Sequence, residues 1–296
     1  MGARLSVCLT FDFDALSPWA FGMANGNVAA LSRGEFGAVA VPRILALLER
    51  HGIAATFFVP GHTALAYPEL VREIHAAGHE LGHHGWVHEP LSQLEPGHER
   101  ELLLRGLDAL DRVAGVRPVG YRAPSVDVSS ATVEILLEHG FMYDASFSGS
   151  DFEPYYLRTG DAFPANAEYE FGENVDLVGI PFSWSLSDFQ YFEFVPGVTG
   201  RQDAPSKVYE IWRAELEWAH ANVPGGVFDL CMHPQAIGRG PRLAMLEDLI
   251  DAAASLDGVA FERLGDYAAC WRRQHPLAEW LRSKPVHARR STSAGG

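Results

Sequence analysis

His84 and His88 stand four residues apart within Gly78–His88, GHELGHHGWVH, a stretch that carries four histidines in eleven positions. On a helix that interval is one turn, so both imidazoles face one point. Two convergent imidazoles are two of the three protein ligands of a common catalytic zinc site. The pair taken alone also fits histidines on a surface loop after a strand, because short motifs recur by chance. A third ligand, a base and an acid elsewhere in the chain would separate the two readings.

Candidates for each stand at the ends of apolar runs. Leu5–Phe11 leads into Asp12-Phe13-Asp14, and residues two apart on an extended backbone point the same way. Two carboxylates on one side near a histidine pair suggest different jobs, one a metal ligand and the other a general base. The competing reading is a pair of loop caps. A run at Val119 ends in Arg122-Ala123-Pro124, and Gly226–Met232 ends in His233-Pro234. One Asp with two His makes a facial metal triad that leaves positions open for water and substrate. A second Asp, a late His and an Arg complete a hydrolytic set.

Other chemistries fit these residues less well. A zincin places its Glu base directly after its first ligand histidine, whereas Gly85-Trp86 follows His84. The chain has no P-C-x-x-C of a nucleobase deaminase, and no His-x-His of the kind that opens amidohydrolase barrels. A glycosidase resting on Asp12 and Asp14 leaves the histidines unexplained.

The elements that must position these residues alternate. Short apolar runs at Leu5–Phe11, Ala54–Val59, His79–Gly82, Val119–Arg122, Phe141–Asp144, Val175–Ile180, Gly226–Met232 and Val259–Phe261 predict strands. Helical spacing predicts helices over Val41–His51, Tyr67–Ala77, Glu99–Ala114, Ser129–His139, Ser206–Ala221, Leu243–Leu256 and Leu264–Leu281. Ser17–Gly37 and Ser148–Asn174 read as irregular, the first as a long loop or lid. Repeated strand–helix alternation argues a parallel sheet with crossover helices, closed into a barrel, with the site beyond the carboxyl ends of the strands. Trp19, Phe21 and Trp184 are candidates for the pocket wall, with core packing as the alternative. His83 points away from His84 on an extended backbone, His79 and Glu80 read as supporting or structural, and Cys231 reads as buried packing.

The chain has 296 residues, 47% of them hydrophobic, enough for one large core. No linker or repeat divides residues 1–282, which read as one catalytic domain, and 283–296 as a disordered polar tail. A net charge of −15, with no Lys/Arg run longer than a pair such as Arg289-Arg290, excludes a nucleic-acid binder of the basic-patch type. Three scattered cysteines, Cys8, Cys231 and Cys270, form no disulfide framework and suit a reducing compartment. The N-terminus lacks the apolar stretch of a signal peptide, and no run approaches a membrane span. The expectation is therefore a cytoplasmic enzyme acting away from membranes. Its acidic surface and Trp-bearing late helices permit a homo-oligomer.

These motifs together resemble the polysaccharide deacetylase family, which includes chitin and peptidoglycan deacetylases. Thr10–Asp14 matches its T-F-D-x-D, His79–His88 its H-E-[IL]-G-x-H-x-x-x-H, Arg122–Pro124 its R-x-P, and Leu230–Pro234 its [LV]-x-x-H-P. The resemblance spans roughly Leu5 to Arg263 and implies a distorted (β/α)7 barrel with metal-dependent hydrolysis of non-peptide carbon–nitrogen bonds. It assigns Asp14, His84 and His88 to a divalent metal, commonly Zn2+, although Co2+, Mn2+ and Ni2+ also suit such ligands. It makes Asp12 the general base, Arg122 its partner and His233 the general acid, with the backbone N–H of Ser125 toward the oxyanion. Asp144, in Tyr143-Asp144-Ala145-Ser146, falls at a recurrent position of the family.

Two features depart from its sugar deacetylases. Ser125-Val126 replaces an aromatic and a glycine, and Ser17–Gly37 replaces a short segment. The latter resembles the intracellular branch of cyclic imide hydrolases and allantoinase-like enzymes. The substrate implied is an N-acetylated sugar or a small cyclic imide.

Overall fold

Leu5, Val7, Leu9 and Phe11 occupy alternate positions of the first strand and pack into the core beneath the helices, while Ser6, Cys8, Thr10 and Asp12 take the positions between. This period of two, the elementary geometry of an extended chain, sorts the fold into a helix-facing layer and an interior. The computed structural model describes residues 4–23, 27–195, 197, 199 and 202–283. The reading of 283–296 as a disordered tail, Ser283 apart, lies outside the described residues.

Nine strands form one sheet among the described residues: β1 (Leu5–Asp12), β2 (Thr56–Val59), β3 (Glu80–His83), β4 (Gly120–Tyr121), β5 (Tyr143–Asp144), β6 (Tyr155–Thr159), β7 (Glu173–Gly179), β8 (Gly226–Met232) and β9 (Val259–Phe261). Their order is β6-β7-β5-β4-β3-β2-β1-β8, with β9 on β1. All but β6 run parallel: seven follow one another as β7-β5-β4-β3-β2-β1-β8, the seven-stranded path expected, and β9 adds parallel to β1. The sheet curls, and a parallel bridge between Ser187 and Cys231 brings the chain after β7 against β8. One strand inside the supposedly irregular 148–174 was missed: β6 lies antiparallel on β7 at the sheet's edge.

Most of the described residues of 17–37 are helical rather than loop. Trp19–Met23 forms a π-helical turn, and the helix Val28–His51 starts thirteen residues before the expected Val41. Asn27 caps it, its Oδ1 accepting the N–H of Ala29 at 3.0 Å. Its buried face includes Gly34 and Gly37 in place of large apolar residues, so the apolar pattern there is invisible. A Cβ on Gly34 would lie 2.4 Å from the carbonyl of Ala15, so glycine lets this helix press on the turn that follows Asp14. The last predicted helix is two, Leu264–Gln274 and Leu277–Ser283, because Pro276 cannot continue the hydrogen-bond ladder. No helix among the described residues is long and apolar enough to cross a membrane.

The interior is closely filled. A Cβ on Gly120 would stand 2.0 Å from the Tyr143 ring, which is fully buried and donates its hydroxyl to Glu80 at 3.0 Å. Gly120→Ala is therefore expected to cost about 1–3 kcal/mol by overpacking, read as a lowered urea midpoint. An unchanged midpoint would show that Tyr143 can move aside.

Candidate metal centre and active site

Parallel strands end together, so their last interior positions share one rim. Thr10↔Thr56 and Phe11↔Met232 are register partners, as are Val59↔His83 and His83↔Tyr121. Asp12, His84, Arg122 and His233 therefore reach the same level from β1, β3, β4 and β8. Alternation selects among neighbours. His83 faces the helices, its Nε2 3.0 Å from the Leu103 carbonyl, and burial pushes it down to about 3. His84, one residue on, turns inward. His79 and Glu80 lie at the other end of the strand. His79 Nδ1 accepts the Ala55 N–H, and Glu80 accepts from Thr56, Tyr143 and Gly265. Both are structural.

His84 and His88 do converge, but not on a helix. After β3 the chain turns through Gly85 at φ 71° and His88 at φ 65°, the left-handed region that a non-glycine residue rarely enters. Glu89 holds this turn, its carboxylate accepting the N–H groups of Trp86 and Val87 at 2.7–3.1 Å. The helix Gly61–Ala66, which follows β2, fastens two turns at once. Its Gly61 and His62 N–H groups bond the carbonyls of Gly85 and Trp86, while Thr63 donates its hydroxyl to the Asp14 carbonyl at 2.7 Å.

The ligand atoms of Asp14, His84 and His88 lie within 4.8 Å of one another. His84 Nδ1 donates to the Arg122 carbonyl at 2.7 Å, so the neutral ring presents an unprotonated Nε2 inward; burial would lower this imidazole, but the Asp12 and Asp14 carboxylates raise it. Nε2 stands 3.3 Å from Asp14 Oδ1, yet both atoms are buried without a hydrogen-bond partner. Buried polar atoms are almost always paired, so two convergent orphans fit a shared ion rather than each other. Burial and neighbouring imidazoles hold His88 below its usual range, keeping it a neutral donor. The Asp/His set suits a divalent metal ion.

Across from it stand a buried carboxylate and a buried imidazole. Arg122, fully buried, donates from Nη1 to Asp12 Oδ1 at 2.8 Å and from Nη2 to Asp229 at 2.7 Å. Burial would raise Asp12, but the Arg122 guanidinium together with His84 and His233 outweighs it and holds the carboxyl at about 2. His233 Nδ1 lies 2.7 Å from Asp188, whose other oxygen accepts the His233 N–H at 3.0 Å. Burial would lower His233, yet the Asp188 carboxylate first, then Asp14 and Asp12, raise it to about 9. Asp12 Oδ2 and His233 Nε2 are 3.9 Å apart.

A cavity of about 550 Å³ opens over these groups. Its walls include Met23, Val126, Phe182, Trp184 and Phe189, with Trp184 about half exposed at the rim. Trp19 is not among them. It is buried against Val195 beneath Arg33, because the π-helical turn points it into the core and presents Met23 instead. Ser125 lines the cavity at φ 54° and Val126 at φ 51°. In this turn the Val126 and Asp127 N–H groups bond Ala123 and Pro124 carbonyls, while Ser125 N–H serves in no such bond. Asp144 is outside the cavity. It accepts the N–H of Ser146, whose hydroxyl accepts the N–H of Ala123, and burial pushes it up to about 7.

Asp188 and Asp229 were not anticipated. Asp229 had a signal, a lone carboxylate in the apolar run GVFDLCM. Asp188 had none, since its partner lies 45 positions away.

Comparison with known proteins agrees with this geometry. Residues 5–143 match the polysaccharide deacetylase family model. A peptidoglycan deacetylase of Helicobacter pylori is 31% identical over 293 residues, 93% of this chain and 99% of that protein. A solved structure from Mycobacterium smegmatis, designated a polysaccharide deacetylase, superposes with a TM-score of 0.82 at 39% identity, covering 93% of this chain and 92% of that one. An allantoinase structure shares the fold, with a TM-score of 0.77 at 24% identity over 93% of this chain and 92% of its own. With its curled parallel sheet and its rim of Asp12, Asp14, His84, Arg122 and His233, the chain belongs to the polysaccharide deacetylase family of hydrolases acting on non-peptide carbon–nitrogen bonds.

Proposed function

We propose that the protein hydrolyses an amide bond of an N-acetylated sugar, releasing acetate, with a divalent metal on Asp14, His84 and His88. The orphaned pair His84 Nε2 and Asp14 Oδ1 carries this reading. The ion supplies Lewis acidity toward the carbonyl and the attacking water. Asp12 Oδ2 accepts the proton of that water, while Oδ1 stays bonded to Arg122, which keeps the base ionised and aimed. His233 Nε2 gives its proton to the leaving nitrogen, which is too basic to depart unprotonated. Asp188 holds the opposite ring nitrogen and so fixes the tautomer. The free Ser125 N–H donates to the oxyanion at the rim.

The nearly full-length likeness to a peptidoglycan deacetylase supports the sugar substrate. The cavity favours a second reading, ring opening of a small cyclic imide, because its aromatic and aliphatic walls enclose a volume suited to a small ligand. Metal-loaded protein incubated with N-acetylglucosamine oligomers and with succinimide decides between them. Acetate release without imide consumption supports the first reading, and ring opening without acetate overturns it. Zn2+, Co2+, Mn2+ and Ni2+ reconstitution in the same assay identifies the working metal.

The acid assignment predicts a pH effect. His233 acts protonated, so kcat/KM falls as it loses its proton on the alkaline side. Asp188→Asn removes the charge that holds this proton and should shift the alkaline limb to lower pH with metal content unchanged. A limb that stays in place would remove Asp188 from this role.

A further inference from the structure

A second group of ligand atoms lies beside the first. Asp12 Oδ2, Cys231 Sγ and His233 Nε2 are all within 4.8 Å of one another, all buried, and all reach the floor of the cavity. Cys231 Sγ is 3.5 Å from Asp12 Oδ2, and His233 Nε2 is 3.9 Å from the same oxygen. Cys231 takes this place because it is two residues before His233 on β8, so alternation points both inward. The other atoms of the group are already anchored from outside: Asp12 Oδ1 by Arg122 and His233 Nδ1 by Asp188. Outer partners that orient inward atoms are the arrangement that metal ligands require. One carboxylate, one imidazole and one thiol select a soft or borderline ion, zinc or cadmium, over magnesium or calcium.

We propose that Asp12, Cys231 and His233 form a second, inhibitory metal site for zinc or cadmium. An ion there occupies the base and the acid together, so it stops hydrolysis without displacing the ion on Asp14, His84 and His88. On binding, the Cys231 thiol and the His233 imidazolium each release a proton to solvent as the dication enters, so the charge of the buried cluster is unchanged. The consequence for function is a ceiling on metal: the enzyme works with one equivalent and is shut off by excess thiophilic ion. This inference rests on the acid and base roles proposed above for its inhibitory effect, but not for its binding.

The test uses protein carrying one equivalent of zinc, titrated with cadmium alone. A thiolate-to-cadmium absorption in the ultraviolet should rise and saturate with one further equivalent, and hydrolysis should fall in parallel. In Cys231→Ser the band should be absent, and the cadmium concentration that halves that variant's own activity should rise about tenfold or more, as loss of a ligand implies. Cys270→Ser, on a remote helix, controls for the half-buried thiol and should keep the band. No band at saturating cadmium, or equal sensitivity of Cys231→Ser and the parent, overturns the site and leaves Cys231 as packing. His84→Ala separates the two metal readings, since it should lose the zinc equivalent and keep the cadmium–thiolate band. A band without inhibition would overturn the inhibitory role and point to an acid and base other than His233 and Asp12.

Discussion

His84→Ala protein is expected to retain below about a tenth of an equivalent of metal, and to lose at least about 10³-fold in kcat/KM, the several kcal/mol that a Lewis acid contributes. The argument is geometric. His84 Nε2 is a buried atom with no hydrogen-bond partner, directed at Asp14, and its other nitrogen is tied to the Arg122 carbonyl. Alanine removes one of three convergent ligands and leaves Asp14 and His88, too few for a stable site. The fold should survive, because His84 lies at the rim beyond the end of β3 and the deleted hydrogen bond is worth about 1 kcal/mol. Metal analysis after dialysis, with circular dichroism as a control for folding, reads the result. A full equivalent of metal in the folded variant would sink the ligand assignment.

Asp12→Asn should separate chemistry from metal binding. The change is isosteric, and the amide oxygen can still accept from Arg122, which keeps its bonds to Asp229, Thr10 and the Ala145 carbonyl. Metal content should be that of the parent, since Asp12 is not among the three metal-facing residues. Turnover should fall about 10²–10⁴-fold, the contribution of a positioned general base. Arg122, with His84 and His233, holds Asp12 ionised down to about 2, so the parent enzyme has its base ready throughout the neutral range. Turnover near the parent's value, with metal bound, would show that another group takes the proton.

The largest misreadings came from local conformation. The interval between His84 and His88 suggests a helical turn, yet the chain after β3 uses two left-handed residues instead. Convergence of the imidazoles was right and its cause was wrong: Glu89 and the helix Gly61–Ala66 impose the turn, and neither is encoded by the spacing. Ser17–Gly37 looked irregular because Gly34 and Gly37 replace apolar residues where a helix presses on backbone. Trp19 looked like a pocket wall because aromatics near a site are ambiguous. Its direction follows from a π-helical turn that composition does not signal.

Alternation along the strands determined which residues face inward, and so Asp12 and His233 were selected by the sequence itself, while Asp229 and Cys231 share that face without having been picked out. The order of strands and helices, and the placement of each chemical residue at a strand's carboxyl end, followed from the same local periodicities. Tertiary structure alone decided which of these groups meet. Asp188 reaches His233 only because the sheet curls until Ser187 bridges Cys231, and Arg122 spans Asp12 and Asp229 only because β4 and β8 face each other across the interior. Backbone geometry repeats every two residues and is written locally. Convergence across more than a hundred residues depends on twist and packing, which no single segment encodes.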